Sequence, residues 1–244
     1  MRIFIPPAEI MQKSSVRLSE QKAHHLTTVL RAKKGDRVTV FDGSGRVYDA
    51  LIAEISRKQV LVDILEEIPS ESELRTSFIL CAAVLKGEKM DFVVQKGTEL
   101  GVMEIQPLIT ERTIVKESRR VARWRAIAEE SCEQCGRAII PAIHEPKAFD
   151  AYIRARAGLN GFIFWEEGGL PLAEAYQAVV DRRIGHCLSG PVYVMIGPEG
   201  GLTWDEIRCA SSRGLIVSSL GRRILRAETA AIVALGLVID RFEF

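Results

Sequence analysis

Hydrophobic and polar positions follow two different rhythms along this chain. In its first third, the opening RIFI (2–5) and the runs DRVTVFDGSGRVYDALIAEIS (36–56) and KQVLVDILEEI (58–68) are β-rich, with polar DGSG as a turn among them. Between them LSEQKAHHLTTVLR (18–31) carries Leu18, Leu26, Val29 and Leu30 at roughly helical spacing, with Ser19 placed to cap it. The pattern predicts a small antiparallel barrel or sheet with one helix over residues 1–70, bounded by the polar stretch PSESE at 69–73.

From Leu74 onward, almost wholly apolar strand candidates alternate with helical segments. The strands are LRTSFILCAAV, EIQPLIT, GFIFWEE, PVYVMIG and GLIVSSL. The helices are KMDFVVQKGTEL, KESRRVARWRAIAEESCEQCG, EPKAFDAYIRARA, PLAEAYQAVVD, TWDEIRCASSR and a final ETAAIVALGLVIDRF. Strands that are apolar on both faces and alternate with helices predict an α/β domain over residues 71–244, its mostly parallel sheet covered on both sides.

Composition narrows the picture. No apolar run approaches the roughly 20 residues a membrane span needs, and no signal-like segment follows Arg2, so a cytoplasmic protein is expected. Five cysteines, an odd number in 244 residues, fit a reducing compartment. Net charge is +1, yet residues 1–40 hold eight Lys/Arg against three acids, and ERTIVKESRRVARWR and GRRILR are further basic clusters. Basic patches on a neutral background point to a directed anionic partner or to ordinary solvated surface.

Ligands of open α/β sheets sit beyond the carboxyl ends of strands. Three such ends have unusual sequences here: FIFWEEGG, VMIGPEGGL and VSSLGRRILRAET. Side by side, they would hold a ligand largely by main chain, because glycine lets the backbone approach closely. GPEGG lacks the spacing of a dinucleotide fingerprint, and no Walker A or G-x-S-x-G pattern occurs. Cys132 and Cys135 form a C-x-x-C inside a helix candidate with no tidy second pair of zinc ligands, so no metal site is expected. Glu199 is either a carboxylate capping loop amides or a group for chemistry. Arg222, Arg223 and Arg226 are either solvated turn residues or phosphate and base contacts. His24 and His25, beside Arg31, have the same two readings, and Trp124 and Trp165 read as core residues.

Read together, IGPEGGLTWDEI (196–207) and SLGRRILRAETAAI (219–232) resemble the uracil-N3 methyltransferases of small-subunit ribosomal RNA, in the SPOUT superfamily. HHLTTVLR, QKGTELGV, PLITERT and RWRAIAEESCEQCGR are similar to the same family's pattern in the same order, so the resemblance spans essentially the whole chain. It implies an N-terminal PUA-like barrel for RNA, a C-terminal α/β domain with a deep trefoil knot, a homodimer, and methylation of uridine 1498 of 16S ribosomal RNA within the small ribosomal subunit. It implies S-adenosylmethionine held around Phe164, Trp165 and Glu166, around Ile196, Gly197, Gly200 and Gly201, and around Ser219, Leu220, Gly221 and Leu225. The chemistry would use Arg226 or Arg223 to steady charge on the uracil ring, and Glu199 or Glu228 to take its proton. RNA phosphates would meet Arg17, His24, His25 and Arg31, together with Arg112, Arg119, Arg120 and Arg123. The family commonly carries a longer apolar run where this chain has IVSSLG, which leaves two hydroxyls to account for. Ribose 2′-O-methylation would share the same cofactor loops, and an RNA-binding assembly protein would need no cofactor at all.

Overall fold

The computed structural model describes residues 1–11, 15–56, 59–115, 120–185 and 190–244. The chain packs as two compact units, Met1–Glu73 with Glu129–Ile140, and Leu74–Ala128 with Pro141–Phe244.

The first unit contains β1 (Arg2–Phe4), α1 (Pro7–Ile10), β2 (Ser15–Arg17), α2 (Glu20–His24), a π-helical turn (His25–Val29), β3 (Arg37–Phe41), β4 (Val47–Ile55) and β5 (Val60–Ile68). Its sheet runs β1-β3-β4-β5-β2. Alternation along β3 to β5 sends Val38, Val40, Ala50, Ile52, Val60 and Val62 into one core with Leu18, Ala23 and Leu26. Two expectations are corrected. The β1–β3 pair is parallel, so the sheet is not antiparallel throughout. The helix expected over 18–31 is regular only for five residues and then widens into the π turn, where Leu30 N–H reaches back to His25 O. Arg31 follows at φ 51°, in the left-handed region that few side chains adopt.

Glu73, in the stretch read as a boundary, is a structural clamp. Its carboxylate accepts from Arg137 Nε (3.1 Å) and Nη2 (2.7 Å) and from the Ala138 (2.8 Å) and Ile139 (3.1 Å) amides. Burial pushes its carboxyl up, but these donors outweigh burial and hold it below the ordinary value of 4.5.

The second unit holds β6 (Phe78–Ala83), α3 (Lys89–Glu99), β7 (Glu104–Ile109), the start of α4 (Val121–Cys135), β8 (Ala142–Ile143), β9 (Lys147–Ala148), α5 (Phe149–Arg154), β10 (Gly161–Phe164), β11 (Leu170–Pro171), α6 (Leu172–Gly185), β12 (Val192–Ile196), α7 (Trp204–Ser212), β13 (Leu215–Ser219) and α8 (Ala227–Glu243). The sheet order is β11-β13-β10-β12-β6-β7-β8, with β9 on β7, and its recorded pairs are all parallel. The period of two along β10 explains the two covers. Ile163 packs with α5 and α7, whereas Phe162 points to Phe242 of α8 at 6.5 Å between ring centroids. The short strands β8, β9 and β11 carry too few residues for any period to announce them, and β9 takes the start of the helix expected from residue 145.

Candidate active site

Strands β13, β10 and β12 are neighbours in that order and run parallel, with Phe164 level with Ile196 on one side and Ser218 on the other. Their three carboxyl-end loops therefore leave the sheet side by side, as their sequences suggested. Together they wall a cavity of about 350 Å³, large enough for a small-molecule ligand, since such sites span roughly 300–1,000 Å³. Phe164, Trp165, Glu166, Ile196, Gly197, Gly201, Ser219, Leu220, Gly221 and Leu225 line it, and so do Glu199, Arg223 and Arg226.

Gly200 is the one expected cofactor contact that does not line this cavity. A Cβ there would meet the Arg112 side chain at 3.1 Å, so this glycine makes room for the arginine instead of lining the cavity. Gly201 (φ 73°) and Gly221 (φ 104°) hold left-handed conformations that turn the loops. At Gly201 a Cβ would also strike the Glu166 carboxylate; at Gly221 it would meet open space. The two serines are accounted for locally. Ser218 Oγ donates to Leu170 O at 3.2 Å, and Ser219 Oγ accepts from Gly221 N–H at 3.2 Å.

The turn after β12 is held from several directions. Thr203 and Glu206 form a reciprocal capping box at the start of α7, and Glu206 Oε1 also accepts from Glu111 N–H at 2.9 Å. Arg112 Nη1 donates to Gly200 O at 3.0 Å. Glu199 accepts from Lys86 N–H and from Lys89 Nζ, each at 3.2 Å. Burial raises the Glu199 carboxyl, but its own amide, that of Lys86 and the Lys89 ammonium prevail and hold it below its usual range. Lys89 also lies 3.6 Å from Glu228 Oε2, a buried oxygen that makes no hydrogen bond.

Lys89, Pro198, Ile224, Ala227 and Ala230 line the cavity too, and sequence reasoning missed them. Lys89 had one usable signal, a cation in the polar turn that opens the α3 segment; nothing local said it would meet residues 110 positions away. Glu228, one residue into α8, is outside the lining and reaches the site through Lys89.

The expected RNA contacts divide between the units. Arg17, His24, His25 and Arg31 are exposed on the first, where His24 Nδ1 and Thr28 Oγ1 lie 3.3 Å apart. Arg112, Arg120 and Arg123 belong to the second and are partly spent on it. Arg120 donates to Gly87 O, and Arg123 Nε pairs with Asp91 at 2.7 Å beside the buried Trp124, whose Nε1 donates to the same carboxylate. Arg119 lies outside the described residues. Cys132 is buried and Cys135 exposed, both free thiols; burial pushes the Cys132 thiol up to about 12.

A family model described as an RNA methyltransferase domain matches residues 72–239, and one described as an RNA methyltransferase PUA domain matches residues 18–65. The ribosomal RNA small subunit methyltransferase E of Synechocystis sp. is 33% identical over 97% of this chain and 76% of its own length. This chain belongs to the ribosomal RNA small subunit methyltransferase E family. The fold agrees. The family member from Neisseria gonorrhoeae, solved bound to S-adenosyl methionine, superposes with a TM-score of 0.86 at 30% identity, covering 98% of this chain and 97% of that one. A Legionella pneumophila methyltransferase in complex with the same cofactor gives 0.85 at 33% identity, over 98% and 97%. The first unit is thus the family's PUA-like half-barrel, and the second its SPOUT-type methyltransferase domain.

Proposed function

We propose that this protein transfers a methyl group from S-adenosylmethionine to N3 of uridine 1498 in 16S ribosomal RNA. The observation that carries the reading is the cavity at three adjacent strand ends, in a chain that superposes along nearly its whole length on relatives solved with that cofactor. The residues present fit the group: apolar Phe164, Ile196, Leu220 and Leu225 for a flat ring, and glycine-rich main chain to bond its edges. S-adenosylmethionine, when bound, supplies a methyl on a positively charged sulfur.

The chain's own side chains have two tasks. Uracil N3 carries a proton, and a base-paired N3 is out of reach, so the target must be unpaired or flipped into the site. Glu228 is the better candidate to accept that proton, through water because it lies outside the cavity lining: its buried Oε2 has no hydrogen bond to surrender and faces the Lys89 ammonium at 3.6 Å. Glu199 is bound by two donors from the α3 turn and serves to hold the loop. The Arg226 and Arg223 side chains make no hydrogen bond or ion pair among the described residues, and both residues line the cavity. Either can steady negative charge developing on a uracil oxygen, Arg226 first.

The strained Arg31, with Arg17, His24 and His25, supports phosphate contacts by the first unit. Val233 and Leu237, one turn apart on α8, and Phe92 on α3 leave apolar side chains exposed, which favours a homodimer. Incubation with methyl-labelled cofactor and either small subunits or naked ribosomal RNA, followed by nucleoside mapping, tests the whole reading. 3-Methyluridine at position 1498 is expected. Label on a ribose 2′-oxygen, or no label, overturns it.

A further inference from the structure

Two indoles stand together at the rim of the site: Trp165 is an expected cofactor contact, and Trp204 has no part in the methyl-transfer scheme. Trp165, directly after β10, lines the cavity. Trp204, the first residue of α7, packs its ring against Trp165 with centroids 5.4 Å apart and planes inclined at 41°. Trp204 is nevertheless 62% exposed, an unusual position for the largest side chain, and Ile224 on the opposite loop is 82% exposed while also lining the cavity. An apolar ring held firmly from one side and open to water on the other is costly to display and well suited to receive a second flat ring.

The surrounding charge says what kind of ring. Arg222, Arg223 and Arg226 stand free of ion pairs among the described residues on the loop that carries Ile224. Arg112 reaches the turn just before α7 through Gly200 O. The acid nearest in sequence, Asp205, is paired with Arg208 at 2.9 Å. Arg223 and Arg226 line the same cavity as Trp165, beside Glu166 and the already paired Glu199, and cations near an exposed aromatic suit a single-stranded nucleic acid, whose phosphates meet the guanidinium groups while a base stacks on the indole.

We infer that Trp204, backed by Trp165, is a stacking shelf for an unpaired base of the RNA substrate next to the methylated nucleotide. The inference rests on the RNA-methyltransferase reading above and adds a binding determinant to it. Trp204 would hold the strand beside the cavity and leave the donor loops untouched; it is a positioning residue and takes no part in bond making.

The test compares Trp204→Ala and Trp204→Phe with the parent protein. Measured are KM and kcat on unmethylated small subunits, affinity for a single-stranded RNA oligonucleotide of the target sequence without cofactor, and S-adenosylmethionine affinity by calorimetry. Trp204→Ala should weaken oligonucleotide binding and raise KM by about tenfold, with kcat and cofactor affinity unchanged, and Trp204→Phe should recover most of the loss. Indole fluorescence of the parent should be quenched on oligonucleotide binding, and that quenching should shrink in Trp204→Ala. Unchanged RNA affinity in Trp204→Ala overturns the shelf. So does a phenylalanine variant as weak as alanine, or a loss that tracks dissociation of a dimer in light scattering. Because the oligonucleotide is bound without cofactor, the shelf is decided even if the parent transfers no methyl, an outcome that would instead sink the proposed activity.

Discussion

Lys89 is the residue on which the charge arrangement of the site turns, since one ammonium serves Glu199 at 3.2 Å and Glu228 at 3.6 Å. Replacing Glu228 by glutamine keeps the shape and removes the proposed proton acceptor. Single-turnover methylation should then fall by about 10²- to 10⁴-fold with cofactor affinity intact, and an unchanged rate would transfer the role elsewhere. Glu199 makes a different prediction. Its carboxyl is held below the usual value, so its bonds to the α3 turn are fully present above the unfolded value of 4.5 and are lost as pH falls through the depressed one. Cofactor affinity measured by calorimetry should therefore be flat from about pH 8 to about pH 5 and decline only below that. Glu73 obeys the same sign, with its stabilisation lost in acid. Glu73→Ala would leave Arg137, only 3% exposed, buried without its carboxylate. A cost of about 3–5 kcal/mol is expected, seen as a lower denaturation midpoint. Of these residues, Glu199 and Glu228 were legible from the motifs that carry the family resemblance, whereas Lys89 and Glu73 were not. Their partners come from remote parts of the chain, and no local pattern encodes a remote contact.

Elements built on strong local signals were read well. The apolar strands, the amphipathic α3 and the start of α7 at Thr203 all lie where period and polar punctuation put them. The capping box makes the start of α7 quantitative. Thr203→Ala should cost about 1 kcal/mol of stability in a denaturant titration. It should also loosen the turn before α7, because Glu206 bonds both Thr203 and Glu111. What the period did not reveal was the π turn after α2 and the two-residue strands, since each is shorter than the window over which a period can be counted. The glycines of GPEGG show the same limit in another form. Gly200 and Gly201 are adjacent and chemically identical, yet one yields space to Arg112 and the other lines the cavity.

At the scale of the whole molecule the phosphate contacts proposed for the first unit can be measured apart from cofactor binding by the second. RNA affinity supplied by phosphate contacts falls with salt, each neutralised phosphate adding about 0.9 to the logarithmic slope. Arg31→Ala should reduce that slope by about 1 and leave cofactor affinity unchanged; an unaltered slope would remove Arg31 from the interface. By itself the amino-acid sequence determined the longer strands and helices, which loops are glycine-rich and basic, and, through whole motifs, the family and its cofactor. Tertiary structure decided that β13, β10 and β12 lie side by side, that Lys89 meets Glu199 and Glu228, that residues 129–140 pack with the half-barrel unit, and that two indoles share one rim. The division has a single cause. Periodicity and turn chemistry act over a few residues, so they are written locally. Neighbourhood in a sheet is settled by the packing free energy of the whole core, to which segments a hundred residues apart contribute together.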